Sequence, residues 1–412
     1  MALAAATVGS CLVGGRLGPM ATCALAAGLV LAWLAGRRGA QAMAMPTTPA
    51  VLFFLGIAAL ALGASPLAPG GVHPLWTLAG GRGAAAIDLQ EDWLGFLHLL
   101  GLGLIFWLAC QSGARHGSAR NVIAAMMGVG LAVEAVALLT GGPGRLWSIP
   151  ASFRGLPLAR DAGLRGAIFG VLLILAAEGI VQARLSAAAG GLLGRLRAAP
   201  LSLITAFFSA ACLLLITTPG AAVIGVILVI LQGCWSLLLA GGRRSTPYGV
   251  LVWLASGMGA LAAAIAVLVT LGMPQDPAAL LAMGGHWTAF WASPWMGYGL
   301  GSQAEVARLF MTPLNLSAVA AFETPPQSYL AWLEQGGFLG ALPFLAAVVW
   351  TTVMIFLASV RQRRLSGVMR AVVCASLYLA VLGLTSSGPA RFSAEAILIT
   401  LLGLGVGAAR AV

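Results

Sequence analysis

Apolar runs long enough to cross a lipid bilayer follow one another along almost the whole chain, and that pattern restricts the fold more than any motif in it. A hydrocarbon core takes about 20 apolar residues per helical crossing, and helices of this kind satisfy their own backbone groups within it. Charges and Gly/Pro punctuation delimit runs near residues 2–14, 19–35, 49–64, 94–111, 121–140 and 166–182. The second half adds 200–218, 221–240, 248–271, 333–358, 371–388 and 393–409. The stretch 200–240 is too long for one crossing, and Thr217-Thr218-Pro219-Gly220 divides it into a helical hairpin. The run 2–14 lacks the positive flank of a secretory signal and reads as an uncleaved first helix. The expectation is an all-α polytopic membrane protein of about twelve transmembrane helices, built as one integral membrane domain over residues 1–412. Composition agrees: 60% of the residues are hydrophobic and 8% charged, against about 25% charged in soluble domains, which excludes a soluble enzyme.

All 22 basic residues are arginines, and they give the chain a net charge of +11. They are strung between apolar runs and form no basic domain or stripe with interleaved aromatics, so nucleic acid is excluded as a partner. With both termini placed in the cytoplasm, the inside loops hold fourteen arginines, among them Arg37, Arg38, Arg184, Arg243, Arg244, Arg361, Arg363, Arg364 and Arg370, and the outside eight. That asymmetry is the one the positive-inside rule demands. The acids Asp88, Glu91, Asp92, Asp161, Asp276, Glu305 and Glu323 all fall outside. The six cysteines lie in apolar stretches without CxxC or Cys/His spacing and read as packing residues.

Three outer segments are long enough to build a site: 65–93, 141–165 and 272–332, the last a large outer loop between the ninth and tenth helices. Their tryptophans, including Trp76, Trp147, Trp287, Trp291, Trp295 and Trp332, admit two readings, an interfacial belt or a platform for stacking sugars. The segment 141–165 concentrates Arg145, Arg154, Arg160 and Arg165 on the side the rule keeps poor in positive charge. A guanidinium stays charged and pairs bidentately with phosphate, so the cluster suits a pyrophosphate or an anionic lipid head-group. Only Asp161 is near enough in sequence to neutralise it. Within the runs, Glu134 and Glu178 are the notable acids. Glu178 is expected to pair with Arg184, and Glu134 to face the loop arginines.

Two elements in the second half carry a resemblance. Pro294-Trp295-Met296-Gly297-Tyr298-Gly299-Leu300-Gly301 is a proline followed by three alternating glycines, a spacing that permits close backbone approach to a phosphate or sugar. Then comes Thr324-Pro325-Pro326-Gln327-Ser328-Tyr329-Leu330, with Gly337 and Gly340 opening an apolar helix. In these residues, over roughly 286–345, the chain resembles the O-antigen ligase and O-antigen polymerase superfamily of bacterial membrane glycosyltransferases. That superfamily carries a Pro-x-x-Gly-x-Gly-x-Gly loop, then His-Asn-x-Tyr-Leu, then Gly-x-x-Gly. The resemblance implies a GT-C-like membrane fold and chemistry on the periplasmic face. A glycan carried on undecaprenyl diphosphate would be joined there to an acceptor glycan, with inversion. It departs at one place: Pro326-Gln327 stands where ligases have His-Asn.

The reaction itself sets requirements. A sugar hydroxyl attacks an anomeric carbon while a lipid pyrophosphate leaves, so cations are needed on the leaving group and a base near the acceptor. The candidate substrate-binding residues are Arg154, Arg160, Arg165, Arg308, Gln327, Tyr329 and Arg391, and the candidate bases are Glu323 and His286. No Asp-x-Asp pair or Walker lysine occurs, so neither metal nor cofactor is expected. The first expectation is a polymerase of lipid-linked repeat units for an O-antigen or exopolysaccharide, with transfer to a lipid A core, as in a ligase, as the nearest variant. A lipid-linked sugar transporter and a non-catalytic scaffold among other polysaccharide-assembly proteins are the competitors from different classes.

Overall fold

The computed structural model describes residues 45–68, 73–78, 83–141, 161–186, 200–240, 277–361 and 366–410, with a few positions among the first 31. Its described elements are thirteen α-helices and one 3-10 turn. In chain order these are α1 (Thr47–Gly63), α2 (Pro74–Leu78), α3 (Leu89–Gly113), α4 (His116–Gly141), α5 (Ala162–Ser186), α6 (Pro200–Ile216) and α7 (Pro219–Ala240). There follow α8 (Pro277–Ala292), α9 (Gln303–Leu309), α10 (Leu316–Ala321), α11 (Ser328–Arg361), α12 (Ser366–Leu382), the 3-10 turn Gly388–Ala390 and α13 (Phe392–Arg410). Six helices, α3, α4, α5, α7, α11 and α13, have the length and apolarity to cross a membrane, and α1, α6 and α12 are shorter apolar helices. These nine coincide with nine of the twelve expected runs. The runs 2–14 and 19–35, but for scattered positions, and the run 248–271 lie outside the described residues.

Local chemistry sets the helix starts. Pro74, Pro200, Pro219 and Pro277 each occupy the first position of a helix, where a missing N–H costs nothing and the fixed φ is already helical. At α3 the Asp88 carboxylate accepts from the N–H groups of Gln90 and Glu91 at 2.8 and 3.1 Å, and two more acids, Glu91 and Asp92, follow in the first turn. Asp161 does the same for α5, accepting from Leu164 N at 2.9 Å.

The bundle is organised around α5 and α13, which are buried along most of their length, while most of α11 lies on the outside. Phe169, Leu172, Ile174 and Leu175 of α5 are packed in the centre with Tyr378 of α12. The Tyr378 hydroxyl donates to the Gly166 carbonyl at 2.6 Å. α3 and α13 approach closely because small residues face each other. A Cβ at Gly407 would run into the Cys110 carbonyl, and one at Gly113 into the Leu404 carbonyl. Gly407→Leu is therefore expected to cost about 1–3 kcal/mol, read as a lower thermal midpoint in lipid nanodiscs. Gly128→Leu, at a position with nothing described within 4 Å, leaves the midpoint in place. Equal midpoints for the two variants would refute this packing.

The intramembrane acids are held by side chains of neighbouring helices. Glu178 accepts from Arg370 Nη2 at 2.8 Å, Gln182 Nε2 at 2.8 Å, Gln232 Nε2 at 3.0 Å and Ser236 Oγ at 3.1 Å. The expected partner Arg184 has its side chain outside the described residues; the described cation is Arg370, on α12. Glu134 is fully buried and accepts from Ser209 on α6.

Opposite the Glu178–Arg370 end, α8, α9 and α10 form a cap. The large loop expected over 272–332 thus contains three helices. The one ionisable side chain of α8 is the buried His286, and its Trp287 and Trp291, followed by Trp295, recur every four residues on an exposed face.

Candidate functional site beneath the cap

The two sequence elements that carry the resemblance meet at a break in α11. Gly337 has φ 57° and ψ −168°, a conformation that L side chains rarely adopt. Breaking a helix there strips the carbonyls of Glu334 and Gln335 of their i+4 partners, the amides of Phe338 and Leu339. The glycine loop replaces all four. Tyr298 N donates to Glu334 O and Gly299 N to Gln335 O, both at 3.0 Å, while Phe338 N donates to Pro294 O at 2.8 Å and Leu339 N to Trp295 O at 3.0 Å. Three further loop amides are also engaged: Gly297 N with Ser293 O at 3.1 Å, Leu300 N with Asp92 Oδ1 at 2.6 Å, and Gly301 N with Gln335 Oε1 at 3.1 Å. The close backbone approach read from the glycine spacing is real, and in the structure it is made to α11 and α3. Tyr298 beneath the loop is buried, and burial together with the Glu334 charge pushes its phenol up to about 12.

His286 is part of the same support. It is buried on α8, with Nδ1 3.1 Å from both oxygens of the fully buried Glu334 and Nε2 3.2 Å from the Phe322 carbonyl. Burial pulls its proton affinity down, but the Glu334 carboxylate and the Phe322 carbonyl outweigh that and leave it raised. Both ring nitrogens are thus engaged, Nδ1 in fastening α8 to α11 and Nε2 in fastening it to the end of α10.

At the start of α11, Ser328 is a staple. Its N–H donates to Gly383 O and Ser386 O, its hydroxyl donates to Ser386 O at 2.7 Å, and it accepts from Ala390 N at 3.1 Å. The ends of α11, α12 and α13 are thereby drawn together. Arg391, just before α13, lies across this junction. Its Nε donates to Asp161 Oδ2 at 2.9 Å and its Nη2 to Thr324 Oγ1 at 3.3 Å, with the side chain 40% exposed. Next to Thr324, Glu323 is exposed and stands 3.9 Å from the equally exposed Arg308. Tyr329 donates to the Ala380 carbonyl at 2.7 Å and meets Trp332 edge-on at 5.7 Å. Gln327 is half-buried, and its carbonyl begins α11 by accepting from Ala331 N at 3.1 Å.

The structure therefore brings Arg391, Glu323 and Arg308 to one polar face with Asp161 and Thr324, and places Tyr329 and Gln327 at the foot of the same helix. It does not bring Arg165 or His286 onto that face. Arg165 is buried in the first turn of α5 and donates from Nε to the Ile216 carbonyl at 2.8 Å, closing the C-terminal end of α6. Arg145, Arg154 and Arg160 lie outside the described residues.

Two residues of this face escape sequence reasoning. Glu395, one turn into α13 from Arg391, accepts from His98 Nε2 at 2.7 Å and from Trp332 Nε1 at 2.9 Å. Both side chains of the His98–Glu395 pair are partly open, at 17% and 18%, and the Phe392 ring meets the imidazole edge-on at 4.5 Å. The available signal was His98 itself, an ionisable residue inside an apolar run.

Fold and site together define a polytopic all-helical membrane protein with a helical cap over one end and a partly open polar cluster beneath it. No family model matches the sequence, and no curated protein matches it significantly. Among solved structures the chain is similar to one from a peptidoglycan synthase complex that coordinates polymerization and crosslinking. The TM-score is 0.38 and the identity 18%, over 88% of this chain and 96% of that one.

Proposed function

We propose that this protein is a membrane glycosyltransferase that polymerises lipid-linked oligosaccharide repeat units, moving glycan from undecaprenyl diphosphate to an acceptor glycan at the periplasmic face of a bacterial inner membrane. The observation that carries this reading is Arg391. It is a partly exposed guanidinium, oriented by Asp161 and Thr324 at the mouth of the bundle, and the aromatic pair Tyr329 and Trp332 stands on the adjoining first turns of α11, with Trp332 bonded to Glu395 one turn along α13. A cation fixed at the level where helices end meets a lipid pyrophosphate as it leaves, and an aromatic pair on the adjoining helix suits a sugar face. The match of the Pro294–Gly301 and Ser328–Gly340 elements to the polymerase and ligase pattern supports the same chemistry.

In this reading the capped end is periplasmic and both termini are cytoplasmic, in keeping with the arginine distribution. Arg154 and Arg160 serve the same pyrophosphate, and Glu323 with Arg308 forms the rim where the acceptor enters. Arg165 and the His286–Glu334 pair hold the walls. The replacement of the ligase His-Asn by Pro326-Gln327 favours polymerase over transfer to lipid A core.

The test is incubation of the purified protein, in lipid, with a defined undecaprenyl-diphosphate oligosaccharide, followed by mass analysis of the glycolipids. A ladder in repeat-unit steps is expected, and Arg391→Ala lowers its rate by about 100-fold or more, the usual effect of removing one charge-stabilising donor. Substrate that binds tightly but never lengthens would overturn the reading in favour of a carrier or scaffold. An unchanged rate for Arg391→Ala would remove Arg391 from the site.

A further inference from the structure

We infer that His98, held by Glu395, is the base that accepts the proton of the attacking hydroxyl, an inference that rests on the glycosyltransferase reading above. An imidazole paired through one nitrogen with a carboxylate is a general-base arrangement. The carboxylate fixes the tautomer and stabilises the imidazolium that forms, and leaves the lone pair on the other nitrogen. Here Nε2 bonds Glu395, while Nδ1 makes no hydrogen bond among the described residues. Glu395 is itself held by the Trp332 indole N–H, and the imidazole by the edge of Phe392, so the pair is oriented from α3, α11 and α13 at once.

Its position fits the reaction. Glu395 N bonds Arg391 O in the first turn of α13, so the carboxylate that holds the base stands on the helix one turn, about 5.4 Å of rise, from the residue that carries the cation. A lipid pyrophosphate on Arg391 and an acceptor hydroxyl at His98 would flank one anomeric carbon. The hydroxyl oxygen bonds that carbon, the bond from the carbon to the phosphate oxygen breaks with its electrons leaving on the pyrophosphate, and the proton passes to His98 Nδ1. His286 and Glu323 are less suited. His286 has both nitrogens engaged and is buried, and Glu323 is 56% exposed beside Arg308, with no second group to orient it.

The experiment compares wild type, His98→Ala, Glu395→Gln, Trp332→Phe and Glu323→Gln in the ladder assay, with donor binding and the thermal midpoint measured on each. His98→Ala is expected to lower the turnover rate by about 10²–10⁴-fold with donor binding intact, and added free imidazole to restore part of it, which a merely structural role would not allow. Glu395→Gln falls less far, and Trp332→Phe least. A wild-type ladder that His98→Ala makes at the normal rate overturns this inference alone, as does loss of activity in Glu323→Gln with His98→Ala unaffected. A wild type that makes no ladder overturns the functional reading and this inference with it.

Discussion

Glu178→Ala is expected to destabilise the bundle by about 3–5 kcal/mol, because it leaves the buried Arg370 guanidinium without its counter-ion. Both side chains of the pair are at most 6% exposed, and Glu178 also gathers Gln182, Gln232 and Ser236, so one deletion unsettles α5, α7 and α12 together. The measurement is thermal unfolding in nanodiscs, alongside the accumulated yield. A Glu178→Leu, Arg370→Leu double variant should recover most of the loss, since removing both charges removes the uncompensated one. A Glu178→Ala protein with a wild-type midpoint would show that the pair contributes nothing to holding these helices.

Gly337→Ala is the second large effect. A methyl group there must adopt φ 57° and run into the Trp295 carbonyl, and the loop can move away only by giving up hydrogen bonds that α11 has no other means of making. Left-handed strain and unsatisfied backbone groups each cost about 1–3 kcal/mol, so a loss of about 3 kcal/mol or more is expected. It should be confined at first to the cap: limited proteolysis near 294–302 would accelerate before the membrane helices unfold. Unchanged protection there would mean that the exchange of hydrogen bonds at the break is unimportant.

The spans were legible because each is written in contiguous residues. Apolar length gives the helix, and the Thr217-Thr218-Pro219-Gly220 break appears as the turn between Ile216 and Pro219. The cap was less so. α8 has a helix-initiating Pro277 and two tryptophans four places apart, but at 16 residues it falls short of a crossing, so apolar length alone does not separate it from a loop. Arg391 is a candidate by its charge and Asp161 by its nearness in sequence to the loop arginines, yet their bond to each other depends on the starts of α13 and α5 meeting in space. His98 and Glu395 are 297 positions apart, and nothing in either neighbourhood announces the other. The glycine motif shows a different limit: its spacing specified a close backbone approach and left open what was approached.

The hydrogen-bond exchange at Gly337 also bears on biogenesis. The ribosome delivers Pro294–Gly299 roughly forty residues before Phe338 and Leu339, so for part of synthesis the glycine loop holds donors and acceptors whose partners are not yet made. The cap therefore matures only when the following helix is in place, and a fragment ending before Gly337 lacks the strand of backbone that completes it. Dividing the chain at this point for expression or transplantation would separate backbone groups that satisfy one another.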